Sequence, residues 1–249
     1  MNIVVSCKVV PDDQDIQIAS NGELDYSKAH QIVSTYDLNA IEAAAQLADG
    51  GSVTAIAVGP AAIDDSKLKK NILARGVDEL AMIADDACAD LDAHATAEAL
   101  AALVQKVEGY DLVVCGDGSA DNYAQQVDVQ LAARLGVPSV NGVTKITPAS
   151  GSVVVERTLE DVVEVVEVPL PAVVSVSPDI ALPRIPGMKD ILAAGKKPAD
   201  VSAATAPYES RVEVVDCKAL EAADRRCEVL DASADGAIEQ FAAALKAAL

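Results

Sequence analysis

Residues 112–126 read LVVCGDGSADNYAQQ, an apolar run that ends at two closely spaced glycines and continues into a polar segment. An apolar run that stops at glycine is typical of a buried strand followed by a tight turn. When a helix follows such a turn, free backbone N–H groups gather at its start and can hold a phosphate. We interpret the segment as a strand, a glycine loop and a helix from Asn122, and as a candidate nucleotide-binding site.

Strand-like and helix-like patterns alternate in the chain before and around this loop. The predicted strands are residues 1–10, 52–58, 78–84 and 110–115. Apolar residues at helical spacing lie between them, and this alternation predicts βαβ units and a Rossmann-like, mostly parallel sheet with helices on both faces. Such sheets bind ligands at the carboxyl ends of their strands, near the point where the strand order reverses. The glycine loop is expected to lie at such a point.

From about residue 143 the pattern changes to short β-branched runs separated by turn residues. The runs are residues 143–147, 153–158, 162–168 and 172–176. Runs of this kind are typical of strands, and their short connections predict antiparallel additions to the sheet.

After residue 178 the chain loses its α/β alternation, and prolines interrupt it repeatedly. Helical spacing of apolar residues returns between residues 234 and 249, at Ile238, Phe241, Ala242, Leu245 and Leu249. A long tail without its own core favours packing on another protein. We therefore expect a nucleotide-binding domain at residues 1–195 and an extended C-terminal arm at residues 196–249.

Composition excludes several functional classes. The formal charge of −20 disfavours a nucleic-acid partner, because the phosphate backbone would repel the surface. No apolar run is long enough to span a membrane, and the amino terminus has no signal-peptide pattern, so we expect a cytoplasmic protein without direct membrane insertion. The five cysteines contain no C-x-x-C pair and the two histidines have no ligand set nearby, so we predict neither a metal site nor a catalytic triad.

Several motifs occur in a specific order along nearly the whole chain. They are IVVSCKVVPDDQDI at residues 3–16, YDLNAIEAA at 36–44, AVGPA at 57–61, CGDGSADNYAQQ at 115–126, VPSVNGVTKI at 137–146, VERTLED at 155–161, LPAVVSV at 170–176 and PRIPGMKDILAAGKKP at 183–198. In this order they resemble the β subunit of electron-transfer flavoproteins, most closely the branch associated with nitrogen fixation and carnitine metabolism.

In that family the β subunit pairs obligately with a larger α subunit that holds a redox-active FAD. The heterodimer carries electrons between flavin dehydrogenases and a membrane quinone oxidoreductase or a similar acceptor. The resemblance therefore implies an electron carrier rather than an enzyme, with no catalytic residue in this chain. It also implies a buried adenine nucleotide, and it places that nucleotide against Ser6, Ser34, Tyr36, Val58, Cys115, Gly116, Asp117, Gly118, Ser119, Asp121, Asn122, Tyr123, Ala124, Gln125 and Gln126.

The chemistry of the loop agrees with that assignment. Its two glycines let backbone N–H groups approach a phosphate, and Ser119 can donate its hydroxyl. Gln125 or Gln126 could bond to a phosphate or ribose from the first helical turn. Asp117 and Asp121 are unfavourable beside a phosphate, so we expect them to cap amides, bind ribose or face water.

The nucleotide is expected to be AMP rather than a second FAD. Electron-bifurcating relatives, which bind their own FAD in this subunit, carry an aspartate and a threonine where Tyr123 and Ala124 stand here. Some relatives also place an aromatic side chain beside the α-subunit flavin, and the matching position here is Asp13. The bifurcating carrier remains an alternative, as does a stand-alone nucleotide sensor. An adenine-nucleotide-hydrolysing enzyme is less favoured, because the loop contains no Lys or Arg.

The resemblance also implies a partner-docking loop around residues 183–189, with Ile185 and Met188 as docking residues. Met188 falls on the position of the anchor that inserts into the dehydrogenase, and a flexible apolar side chain suits that role. The sequence alone supports a second interpretation equally well, in which Met188 makes the first core contact of a helix that ends at Ala194. The C-terminal arm would wrap around the α subunit.

Overall fold

The computed structural model describes residues 1–220 and 227–248 of the chain. Its strands are β1 Ile3–Ser6, β2 Val9–Pro11, β3 Gln17–Ile18, β4 Leu24–Asp25, β5 Gln31–Val33, β6 Val53–Gly59, β7 Glu79–Ala84, β8 Leu112–Gly116, β9 Ser139–Ala149, β10 Ser152–Thr158, β11 Val163–Pro169, β12 Ala172–Val176 and β13 Ala199–Ser202. Its α-helices are α1 Thr35–Leu47, α2 Ser66–Leu73, α3 Ala93–Val104, α4 Val127–Leu135, α5 Met188–Ala194 and α6 Ala237–Ala248.

Nine strands form the main sheet, in the order β11-β10-β9-β12-β8-β1-β6-β7-β13. The seven strands β9, β12, β8, β1, β6, β7 and β13 are parallel to one another, whereas β10 runs antiparallel to both β9 and β11. One apolar core packs α1 and α2 against one face, and a second core packs α3 and α4 against the other. The predicted Rossmann-like α/β sheet is therefore confirmed.

The direction of two of the later strands differs from the prediction. Residues 172–176 were expected to form an antiparallel addition, but β12 lies between β8 and β9, parallel to both, and all five of its residues are buried. β9 is likewise parallel to β12 on one side, although it is antiparallel to β10 on the other. The prediction for β12 was wrong because a β-branched run indicates a strand but not its direction. Uninterrupted burial is what a central parallel strand requires.

The first predicted strand is also divided. β1 ends at Ser6, and β2 leaves the main sheet to pair with β5 in a separate two-stranded sheet. The chain therefore turns away at Cys7 and Lys8, at the carboxyl end of β1.

The strand order reverses between β1 and β8. From β1 the chain moves through β6 and β7 towards one edge, and then returns to place β8 on the other side of β1. The crevice outside the carboxyl ends of β1 and β8 is the usual ligand position in such a sheet. Ser6 and Gly116 are the last residues of these two strands.

The C-terminal arm begins within the sheet. β13 pairs with β7 at the edge, and the chain then passes the start of α3, where the Asp92 carboxylate accepts the N–H groups of Arg211 and Val212 at 2.5 and 2.9 Å. The domain boundary at residue 195 stays a prediction.

At the end of the arm, helix α6 exposes the apolar side chains of Ile238, Phe241 and Leu245. Leu249, the last residue of the predicted stripe, lies outside the described residues. None of the helices in the described part of the chain is both long and apolar enough to cross a membrane.

Candidate functional site

A buried carboxylate lies at the centre of the crevice. Asp37, in the first turn of α1, is 5% exposed, and its Oδ2 accepts the Lys8 N–H at 2.8 Å. The Gly116 N–H also donates to this carboxylate. Because Lys8 follows β1 and Gly116 ends β8, Asp37 ties together the two strands between which the order reverses. These two N–H groups are consequently satisfied by the protein itself.

Sequence reasoning missed Asp37, although one signal pointed to it. An acidic residue in the first turn of a helix is favoured by the helix dipole, and Asp37 opens the helical stripe of α1. Burial raises the pKa of Asp37 from 3.8 to about 7, against the hydrogen bonds from Lys8 and Gly116, which lower it. The site therefore holds a carboxyl group that titrates near neutral pH.

The pKa of Asp37 predicts a pH-dependent stability. The folded pKa of about 7 lies above the ordinary value of 3.8, so the folded state binds the proton more tightly than the unfolded chain. The contribution of this group is fully present below pH 3.8 and is lost as the pH rises through 7. As the pH rises from 5 to 8, the loss of this contribution should lower the free energy of unfolding by about 2–3 kcal/mol.

Urea unfolding of the wild-type chain and of Asp37→Asn across this pH range checks the prediction. The quantity to compare is the difference in free energy of unfolding between the two proteins, because all other titrating groups cancel in it. The wild type should lose stability relative to the variant as the pH rises. A difference that stays constant with pH would contradict the assigned titration.

The loop after β8 takes a different path from the predicted one. The expected helix from Asn122 is wrong, because α4 begins at Val127 and residues 122–126 are not helical. Tyr123 and Gln125 have positive φ values of 44° and 54°, a backbone region that interrupts a right-handed helix. Gln125 therefore lies before the helix, and Gln126 is its N-cap residue without a capping side-chain bond. Neither glutamine acts from a first helical turn as expected.

Tyr123 folds back over the glycine loop. Its ring occupies the space into which a Cβ on Gly118 would project, and it lies 5.0 Å from the Tyr36 ring, measured between centroids. Its hydroxyl donates to Asp117 Oδ2 at 3.2 Å. The small size of Gly118 thus accommodates this aromatic ring.

The positively charged side chain at the site, Lys8, comes from the segment after β1 rather than from the glycine loop. Lys8 Nζ lies 2.5 Å from Asp121 Oδ2, and Ser119 Oγ donates to Asp121 Oδ1 at 2.5 Å. Burial acts to raise the pKa of Asp121, but the bonds from Lys8 and Ser119 outweigh it and leave the pKa lowered. Sequence reasoning noted that the loop has no Lys or Arg, and it did not anticipate that the fold would bring Lys8 to it.

Asp117 has an oxygen that the protein does not satisfy. Its Oδ1 is buried and has no hydrogen-bond partner among the described residues, while Oδ2 accepts from Tyr123. Burial raises the pKa of this carboxyl group. A buried acceptor without a donor is costly in a folded protein, so a ligand hydroxyl or amine is the natural partner.

The structure brings most of the predicted nucleotide contacts to this crevice. Ser34 Oγ accepts the Ala120 N–H at 3.3 Å, so the start of α1 contacts the loop. Ser6 and Cys115 are both buried, Ser6 bonds to the Cys115 thiol, and burial raises the pKa of that thiol to about 12. Val58 is half-buried near the carboxyl end of the adjacent β6, and Asn122 and Ala124 are exposed on the outer part of the loop.

The predicted docking residues lie just before α5 and at its first position. Ile185 is 93% exposed and Met188 is 73% exposed, which excludes the alternative in which Met188 makes a core contact. Leu182 and Leu192 are exposed on the same segment, and sequence reasoning missed both.

Comparison with known protein families identifies the family of this chain. The model described as "Electron transfer flavoprotein domain" matches residues 23–207, which is most of the chain. The matched region includes Asp37, the loop after β8 and the docking segment, and it ends shortly after β13.

Proposed function

The chain belongs to the electron transfer flavoprotein family, whose members are generally electron carriers that work as heterodimers, and on that premise we propose that it is the β subunit of such a heterodimer. Helix α6 supports this assignment, because it exposes the apolar side chains of Ile238, Phe241 and Leu245, a face suited to packing on a partner subunit. We assign the redox-active FAD, which supplies the electron transfer, to the larger α subunit.

We further propose that the crevice between β1 and β8 holds AMP. The unpartnered Asp117 Oδ1 carries this proposal, because a ribose hydroxyl is a donor of the right kind for a buried carboxylate oxygen. Lys8 supplies a positive charge suited to a phosphate, and the amides of the first turn of α4 have no capping side chain. The N–H groups of Lys8 and Gly116 are held by Asp37, so the phosphate would lie outside them, towards the exposed loop.

In this proposal the chain itself transfers no electron. Its residues hold the nucleotide, fix the heterodimer through the C-terminal arm, and present Ile185 and Met188 to a flavin dehydrogenase. The final acceptor would be a quinone oxidoreductase or a similar protein.

The nucleotide content of the purified heterodimer tests the proposal. After co-expression with the α subunit, acid release and chromatography should yield one FAD and one AMP per heterodimer. Two FAD would contradict the AMP assignment and favour the bifurcating carrier. One FAD with no second nucleotide would contradict the nucleotide site itself.

A matched pair of variants links the AMP to the crevice. Asp117→Asn removes the charge of the unpartnered acceptor, so AMP should be released roughly tenfold more readily while the FAD content stays at one. Glu98→Gln is the control, because Glu98 pairs with Arg134 on α4, outside this crevice, and should leave both nucleotides unchanged.

A further inference from the structure

The main chain before α5 is fixed to helix α1 by side-chain hydrogen bonds. The Asn39 amide Nδ2 donates to the carbonyl oxygens of Pro178 and Ala181 at 3.1 and 2.8 Å. Asn39 lies one turn beyond the first turn of α1, so the helix that reaches the crevice also holds this segment.

One turn further along α1, Glu42 holds Arg184 at three points. Its carboxylate accepts Arg184 Nε at 2.6 Å, Nη2 at 3.0 Å and the backbone N–H at 3.1 Å. The Glu42 side chain is 7% exposed, so removal of Arg184 would leave a buried carboxylate without its counter-ion. A two-pronged Arg–carboxylate pair also fixes orientation, which a single contact does not.

The residues that follow α2 contact Arg184 on the side away from Glu42. Arg75 Nη1 donates to the carbonyl oxygen of Arg184 at 2.5 Å. Gly76 has a φ of +91°, and a Cβ there would lie 3.0 Å from Arg184 Nη1, so its lack of a side chain makes room for the guanidinium. Arg184 is therefore turned towards the protein, between α1 and the residues after α2.

The apolar side chains around Arg184 point the other way. Leu182, Ile185 and Met188 are all largely exposed. The main chain of the same segment is held in place by hydrogen bonds from α1 and Arg75. We propose that Arg184 is a positioning residue, which Glu42 and Arg75 hold so that the exposed apolar side chains meet a partner dehydrogenase in a fixed arrangement. This inference rests on the docking role assigned above.

Hydrogen–deuterium exchange of the heterodimer, measured in the absence of a dehydrogenase, tests the positioning role. In Arg184→Gln, the amides of Arg184, Gly187 and Ile191, which have acceptors in this region, should exchange at least tenfold faster. Arg184→Lys keeps the charge but loses the two-point hydrogen bonding of the guanidinium group. Its amide exchange rates should lie between those of Arg184→Gln and the wild type. Glu98→Gln, which breaks the pair with Arg134 on the opposite face of the sheet, should leave these amides unchanged. Unchanged exchange in Arg184→Gln would overturn the inference.

Electron transfer supplies the second readout. The probe is a flavin dehydrogenase that reduces the wild-type heterodimer with saturation kinetics. Arg184→Gln should raise KM for the heterodimer severalfold at unchanged kcat, and reduction of the FAD by dithionite should not change. An unchanged KM in Arg184→Gln would also overturn the positioning role. If Met188→Ala leaves KM unchanged as well, the docking role itself fails; if Met188→Ala raises KM, docking stands and the role of Arg184 alone is wrong.

Discussion

Asp37→Ala is expected to lower the free energy of unfolding by about 3–4 kcal/mol at pH 5.5, the larger part coming from two backbone N–H groups that lose their acceptor. The N–H groups of Lys8 and Gly116 both donate to Asp37, and the site is closed to water because Asp37 is buried. A buried donor without a partner costs about 1–3 kcal/mol, and here there are two. Urea unfolding at fixed pH measures the change.

Asp37→Asn is the matched comparison for this substitution. At pH 5.5 the wild-type carboxyl group is neutral, and asparagine keeps its shape and its carbonyl acceptor oxygen, so Asp37→Asn should lose at most half as much stability as Asp37→Ala. At pH 8 the loss for Asp37→Ala should be smaller than at pH 5.5, because the wild-type carboxyl is then ionised in a buried position. Equal losses for the two variants at pH 5.5 would show that the hydrogen bonds to β1 and β8 are not what Asp37 contributes.

The sheet could be predicted from the sequence because its signals are local. Apolar runs of strand length, separated by helical stripes, identified the parallel core and both helical layers. The direction of β12 could not be predicted in the same way. Whether a strand runs parallel or antiparallel depends on which neighbours it joins, and β12 enters the centre of the sheet only after the β10–β11 hairpin has turned the chain back.

The candidate site was predictable in its position and less so in its chemistry. The glycine loop lies at the strand-order reversal as expected, since both depend on the βαβ pattern. Lys8 and Asp121 are 113 positions apart, and their pairing exists only once β1 and β8 are neighbours. The late start of α4 had no strong local signal, because residues 122–126 contain neither glycine nor proline.

In the docking segment, too, some residues were predicted and a long-range contact was not. The family resemblance, rather than a local pattern, predicted Ile185 and Met188 as docking residues, and the sequence alone left a core contact of Met188 equally open. No sequence signal indicated that Arg184, which directly precedes Ile185, bonds to Glu42. Residues 142 positions apart form that contact, and the buried position of Glu42 on α1 is what makes it strong.

Gly116→Ala is expected to cost about 3 kcal/mol of stability, because a Cβ at this position has no room. It would lie 2.6 Å from Asp37 Oδ1, 3.1 Å from the Tyr36 carbonyl carbon and 3.2 Å from the Gly118 oxygen. Two of these three atoms belong to the backbone and cannot rotate away, and the third is the carboxylate that joins β1 to β8. The strand end, the start of α1 and the glycine loop would all have to shift together.

Gly195→Ala separates this steric effect from the general effect of adding a methyl group. Gly195 has a φ of −66°, and the nearest atom to its Cβ would be the flexible Lys70 Cε at 3.4 Å, so alanine should be neutral or slightly stabilising there. If the crevice holds AMP, Gly116→Ala should also lower the AMP content of the heterodimer, whereas Gly195→Ala should not. A Gly116→Ala protein as stable as Gly195→Ala would mean that Asp37 and the loop can move apart freely, which is incompatible with a rigid carboxylate link at the strand-order reversal.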